Sequence, residues 1–230
     1  MDLFYDPTFD PDHGVLNKEE SHHCIRVKRH RLAEEIGITT GNGKVYFGTI
    51  ENDSPQGVVL SEITTKVYPP PNPIIHLAVA LLKNQDRYEW MTEKLTEIGV
   101  THITPILSHY CERNRINLDR LLKKSISAIK QSHSPFLPTL SPVMKFKEFI
   151  AKPMEKNEER FIAHFEENNV KPNLTTASKI TLLIGPEGGF SPEEVQKAKE
   201  NGFHNLLLGN NILRTETAAV VGAAHFINNF

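Results

Sequence analysis

The sequence predicts an α/β chain: a small, mostly β module, then a larger, mostly parallel sheet with helices on both faces. Three observations carry this reading. Residues 69–73 read Pro-Pro-Pro-Asn-Pro, a stiff connector that can continue neither a helix nor a central strand. Beyond it, apolar strand-like runs alternate with amphipathic stretches, the pattern of strands joined by helical crossovers. Two of the last runs lead into glycine turns followed by helix starts, as in folds that bind nucleotide-like ligands at strand C-termini.

Taken in order, Lys44–Glu51 and Val58–Val67 read as strands, with a turn at Gly41-Asn42-Gly43 ahead of them. After the prolines, Ile74–Leu82 is a buried strand. Arg87–Ile98 places Met91, Leu95 and Ile98 on one helical face and stops at Gly99. Ile103–Leu107 is again a strand, and Leu118, Leu122, Ile126 and Ile129 mark a second amphipathic helix. A short helix over Phe146–Ile150 precedes a strand over Arg160–Phe165. The boundary at the prolines divides the chain into domains 1–70 and 71–230.

The first glycine turn follows Thr181-Leu-Leu-Ile184, an uncharged run suited to a strand buried on both faces. Gly185-Pro-Glu-Gly-Gly189 lets main chain approach a ligand closely. Ser191, Pro192 and Glu194 then form a capping box with proline at the first helical position. That helix runs through Val195 and Ala198 to Gly202. The stretch is neither a Walker loop nor a dinucleotide fingerprint. The second turn, Gly209-Asn210-Asn211, follows a strand over Asn205–Leu208 and leads through Ile212-Leu213-Arg214 to a helix capped near Thr215. Ala218, Ala219, Gly222, Ala223 and Ala224 give that helix a surface that a neighbour can approach closely.

The pair Leu183-Ile-Gly-Pro-Glu-Gly-Gly-Phe-Ser191 and Leu208-Gly-x-x-Ile-Leu-Arg-Thr-Glu-Thr-Ala218 resembles the RsmE family of SPOUT-class methyltransferases, which act on N3 of a uridine in 16S ribosomal RNA. His22-His23-Cys-Ile-Arg-Val-Lys-Arg29, Lys83–Arg87, Glu93–Gly99 and Gln131-Ser132 extend the match over nearly the whole chain. The resemblance implies a C-terminal trefoil knot, an S-adenosylmethionine pocket within it, an N-terminal PUA-like RNA-binding barrel, and a homodimer acting on the assembled small ribosomal subunit. In the family a glutamate often precedes Gln-Ser and an arginine soon follows; here Lys130 precedes the pair and His133-Ser134-Pro135 follows.

Composition is compatible with that reading without selecting it. The 230 residues carry a formal net charge of -2, so attraction to RNA must come from local patches. Cys24 and Cys111 lie far apart in no metal-like spacing, which favours a reduced, cytoplasmic setting. No signal peptide, membrane span or metal site is evident. The sharpest basic feature is the run His22–Arg31; in an extended chain His23, Arg26, Lys28, Arg29 and Arg31 offer cations to phosphates, though such runs also serve simply as solvated surface. Lys83, Arg87 and Arg113 add positive charge near strand ends of the second domain.

On this reading the cofactor lies against Leu183, Ile184, Gly185, Pro186, Glu187, Gly188 and Gly189 on one turn, and Leu208, Gly209, Ile212 and Leu213 on the other. The chemistry requires removal of the uracil N3 proton and stabilisation of charge spreading to its carbonyl oxygens. Arg214 is the candidate for the second task, or else a salt-bridge partner of Glu216 or Glu187. Glu187 and Glu216 are candidates for the first, or else helix-start dipole partners. The competing functions are a SPOUT methyltransferase acting on another RNA and a non-catalytic RNA-binding protein of the same fold.

Overall fold

The computed structural model of the chain describes residues 1–165 and 176–227. It forms two compact units, Met1–Pro70 with Ile126–Leu137, and Pro71–Ser125 with Pro138–Phe230.

In the first unit, strands β1 (Leu3–Tyr5), β2 (Glu35–Thr39), β3 (Lys44–Asn52) and β4 (Val59–Val67) form one sheet in that order. β1 runs parallel to β2, and the other pairings are antiparallel. The two long strands lie within a residue of the expected positions; β1 and β2 are additions, too short to stand out by alternation. Phe4, Ile36, Ile38, Tyr46, Ile50 and Leu60 fill the core behind them. The 41–43 turn is fastened by residues from much later in the chain. Gly43 N–H donates to the Pro135 carbonyl at 2.9 Å, and Leu137 N–H to the Gly41 carbonyl at 2.9 Å.

The basic segment is helical, contrary to the extended reading. Helix α1 (Lys18–His22) is capped by the Asn17 side chain, and a π-helical turn follows over His23–Val27. Glu20, Ser21, Cys24 and Ile25 are its buried residues, a helical spacing that the surrounding cations obscure. Lys130 Nζ donates to both carboxylate oxygens of Glu20, at 2.7 and 3.0 Å, and to His23 Nδ1 at 3.0 Å. The lysine that departs from the family pattern thus has a local use: it neutralises a buried carboxylate.

The second unit alternates β5 (Ile74–Ala80), α2 (Gln85–Glu97), β6 (His102–Leu107), α3 (Leu118–Ser132), β7 (Thr139–Leu140), β8 (Met144–Lys145), α4 (Phe146–Ile150), β9 (Glu158–Ala163), β10 (Lys179–Ile184), α5 (Pro192–Glu200), β11 (Phe203–Leu206) and α6 (Thr215–Phe226). Among the described residues these strands build a parallel sheet in the order β11-β9-β10-β5-β6-β7, with β8 also pairing β6. β11 begins and ends two residues earlier than the expected 205–208 run. In α3 the buried positions are Leu121, Ser125, Ala128 and Ile129, and Leu122 of the expected stripe is 39% exposed.

The sheet is apolar on both faces, as parallel packing requires. Ile75, Leu77, Val79, Ile180, Leu182 and Ile184 form one face, in a cluster with Met91 and Leu95 of α2 and Ala219 and Ala223 of α6. Ala78, Ala80, Ile162 and Leu183 form the other, with Phe146 and Phe149 of α4 and Val195 and Ala198 of α5. The small residues of α6 are explained at Gly222, where a Cβ would stand 2.6 Å from Leu182 Cδ2. Truncating the fully buried Leu182 to Ala costs about 2–5 kcal/mol by the usual cavity cost.

Toward the strand N-termini the second face turns polar. His76 Nε2 lies 2.8 Å from Thr104 Oγ1, and Glu158 accepts from Thr181 Oγ1 at 2.6 Å and from Arg160 Nη2 at 3.1 Å. Burial first, then the charges of His102, Lys179 and Lys152, push the His76 imidazole down to about 3, with Glu158 opposing. From pH 6.5 down to about pH 3 the unfolded chain therefore holds a proton here that the folded protein refuses, and stability falls as pH drops through that window. Between pH 7 and pH 5 the loss from this ring is about 2 kcal/mol, read as a urea midpoint. His76→Asn is expected to flatten that dependence; equal acid sensitivity in both proteins would show that other groups cause it.

Candidate active site

The local sequence explains how the site is assembled. β9, β10 and β11 are neighbours in the sheet and all end at the same edge, so the segments leaving them meet there. Beyond β10 the chain turns through Pro186–Gly189, closed by a 2.9 Å bond from Gly189 N–H to the Pro186 carbonyl, with Gly189 at φ +72°. α5 then starts as the capping box predicts: Glu194 N–H donates to Ser191 Oγ at 3.2 Å and Ser191 N–H to Glu194 Oε2 at 2.9 Å.

Between these segments lies a cleft of ≈ 300 Å³. Ile184, Gly185, Pro186, Glu187, Gly188 and Gly189 line it from the first turn, and Leu208, Gly209, Ile212 and Leu213 from the second. Leu183 does not line it; its side chain is fully buried on the opposite face with Phe190 and Val195. The alternation of a strand sends Leu183 away from the cleft when Ile184 lines it. The cleft gains residues that sequence reasoning missed: Ala163 at the end of β9 with His164 and Phe165 after it, Leu206 and Leu207, and Asn211, Thr215 and Ala218. The strand ending near Phe165 was a usable signal, because its C-terminus had to fall at the same edge of the sheet.

The charged groups at one side of the cleft are arranged around Arg87, in the first turn of α2. Its Nε donates to Glu216 Oε1 at 2.9 Å and its Nη2 to Glu216 Oε2 at 2.6 Å, while Nη1 reaches Glu187 Oε1 at 3.3 Å. Burial raises the Glu216 pKa, but hydrogen bonds from Arg87 and its own backbone, with the charges of Arg87 and Arg214, outweigh it and leave the carboxyl lowered. Both carboxylate oxygens of Glu216, a candidate base, are engaged by Arg87. Arg87, expected as an RNA contact, is engaged by two carboxylates in this structure. Arg214 is the N-cap residue of α6, exposed, and forms no ion pair among the described residues. The partnership expected for Arg214 with Glu216 or Glu187 is thus taken by Arg87.

The remaining RNA candidates divide. Arg26, Arg29 and Arg31 are exposed and free of salt bridges among the described residues; Lys28 pairs with Asp2 at 2.8 Å on the surface, where exchange costs little. His23 is occupied by Lys130 and Glu20. In the second unit Lys83 pairs with Glu112 at 2.9 Å, and Arg113 Nη1 donates to the Lys83 carbonyl at 3.2 Å. Among the described residues no group of three His, Cys, Asp or Glu side chains is placed to hold a metal, and no helix is long and apolar enough to cross a membrane.

Comparison with known proteins places this geometry. Residues 70–227 match the RNA methyltransferase domain model and residues 16–63 the RNA methyltransferase PUA domain model. Ribosomal RNA small subunit methyltransferase E (RsmE) of Aquifex aeolicus is 32% identical over 244 residues, covering 100% of both chains. The chain belongs to the RsmE family. A solved structure from Porphyromonas gingivalis, described as a probable rRNA-methyltransferase, superposes with a TM-score of 0.86 at 32% identity, covering 98% of this chain and 96% of that one. The RsmE of Neisseria gonorrhoeae, solved bound to S-adenosyl methionine, superposes at 0.85 with 28% identity and the same coverage. The second unit is accordingly the SPOUT-type α/β unit of an RsmE protein, and the first carries its PUA-like module.

Proposed function

We propose that this RsmE protein transfers a methyl group from S-adenosylmethionine to N3 of a uridine in the 16S RNA of the small ribosomal subunit. The observation that carries the reading is the cleft at the ends of β9, β10 and β11. Glycine-rich turns and the apolar residues Ile184, Leu206, Leu208 and Leu213 line it, a mostly apolar lining with polar main chain at hand that fits an adenosine and its sugar. Glu187 at its rim is the nearby negative charge suited to a sulfonium. When bound, the cofactor supplies an already activated methyl group, so the residues need only position the base and manage its proton and charge.

Arg214 is free to hold the uracil carbonyl oxygens as charge spreads to them. Arg87, locked by Glu216, steadies Glu187 through one carboxylate oxygen. The other oxygen of Glu187 remains to accept the N3 proton. Arg26, Arg29, Arg31 and Lys28 on the first unit, and Lys83 and Arg113 on the second, supply phosphate contacts. Domains 1–70 and 71–230 then divide RNA binding from methyl transfer. The protein works in the cytoplasm as a homodimer on the assembled subunit.

Titration calorimetry with S-adenosylmethionine and its demethylated product is expected to show micromolar-range, one-to-one uptake per chain, as for other enzyme ligands. Mass spectrometry of ribosomal RNA from a deletion strain should lack one methyluridine, restored by the gene. Absence of ligand uptake would refute the assignment; loss of a methyl group from a different RNA would move the target.

A further inference from the structure

We infer that Tyr110 is the stacking platform for the unstacked target base, which rests on the function proposed above. Tyr110 lies in the loop after β6, and at 48% exposed it is a large aromatic ring left open to solvent. It stands against the cofactor turn. A Cβ on Gly188 would come within 3.1 Å of Tyr110 Cβ and 3.4 Å of its Cγ. Gly188 also lines the cleft, and a side chain there would crowd the tyrosine beside it. The His109 ring packs edge-on at 4.7 Å between centroids. The tyrosine hydroxyl has no hydrogen-bond partner among the described residues.

The loop that presents this ring is fastened to the site itself. His109 N–H donates to Glu194 Oε1 at 2.8 Å, while Oε2 of the same carboxylate holds Ser191 N–H at 2.9 Å. One buried glutamate therefore locks the start of α5 and the Tyr110 loop into a single bracket. Further along, Arg113 holds the Lys83 carbonyl and Lys83 holds Glu112, tying the loop to the segment before α2. An exposed aromatic with a pre-set backbone is what a flipped pyrimidine needs, since stacking reads any base face and the ordering cost is already met. The ring's position at Gly188 puts such a base beside Glu187, on the side of the cleft where Arg87 and Glu216 meet.

The test compares full-length wild type with Tyr110→Ala, Tyr110→Phe and Tyr110→Trp, using purified unmethylated small subunits and labelled S-adenosylmethionine. Tyr110→Ala is expected to lower kcat/KM for the subunit about 5- to 150-fold, the range for one lost base stack, with cofactor Kd unchanged. Phe and Trp should restore it to within about 2-fold, because the flat face and not the hydroxyl is required. Full activity in Tyr110→Ala, or equal damage in Phe and Ala, overturns the inference. So does weakened cofactor binding in Tyr110→Ala, which would assign the ring to the adenosine. Failure of the wild type itself to take up cofactor defeats the parent reading instead, and the platform falls with it.

Discussion

Arg214→Ala is expected to cut methyl transfer about 100- to 1,000-fold, the loss typical of removing one charge-stabilising donor. The cofactor dissociation constant should stay within about 2-fold, since Arg214 is not among the residues that line the cleft. Stability should barely change: the side chain is exposed, gives α6 no side-chain cap, and has no salt bridge among the described residues. This combination separates the two readings open for Arg214 from sequence. A structural salt bridge would announce itself as a lower melting temperature, whereas a substrate contact shows only in turnover. Arg214→Lys keeps the charge without the fork and should recover part of the rate. A variant that methylates subunits at the wild-type rate would remove Arg214 from the mechanism.

Arg87→Ala is expected to do the reverse, harming fold and chemistry together. It strands Glu216, whose side chain is only 10% exposed, without either of its guanidinium hydrogen bonds. Two charged hydrogen bonds of this kind sum to about 3–6 kcal/mol when buried, and the 30% exposure of Arg87 screens the pair below that sum. A loss of about 2 kcal/mol in a urea titration is the expected reading. Glu216 has a lowered pKa in the folded protein, so this contribution is present above its ordinary value of 4.5 and lost as pH falls through the lowered one. The wild-type advantage over Arg87→Ala should therefore shrink in acid. Glu187 also loses its partner, so turnover should fall. An Arg87→Ala protein as stable as the wild type would show that the three-residue cluster carries no net energy.

Much of this was legible where the signal is local. Ser191, Pro192 and Glu194 specify their helix start within four positions, and the structure forms both bonds of the capping box. Thr181–Ile184 is a strand because an uncharged, branched run belongs in a sheet covered on both faces. What depended on distant partners was hidden. Nothing near Arg87 announces Glu216, which lies 129 residues further along the chain. Glu194 looks like an ordinary capping residue until the His109 amide is found on its second oxygen. The shift of β11 has a different origin: Leu207 and Leu208 are apolar because they line the cleft, so they extend a strand pattern beyond the strand. In the His22–Arg31 run, abundant cations masked the helical spacing of the buried residues.

The order of the parallel sheet has a consequence for biogenesis. β10 sits between β9 and β5, yet β5 leaves the ribosome long before it. Until β10 arrives, β5 presents an open edge that can pair with other chains, a hazard for any nascent polypeptide. Insertion of a late strand into the middle of a sheet closes long loops and slows folding. The same event brings together the strand ends that frame the cleft. Ligand-binding competence should therefore appear in one late, cooperative step, and free cofactor, by binding only the finished fold, would pull the maturing chain toward completion.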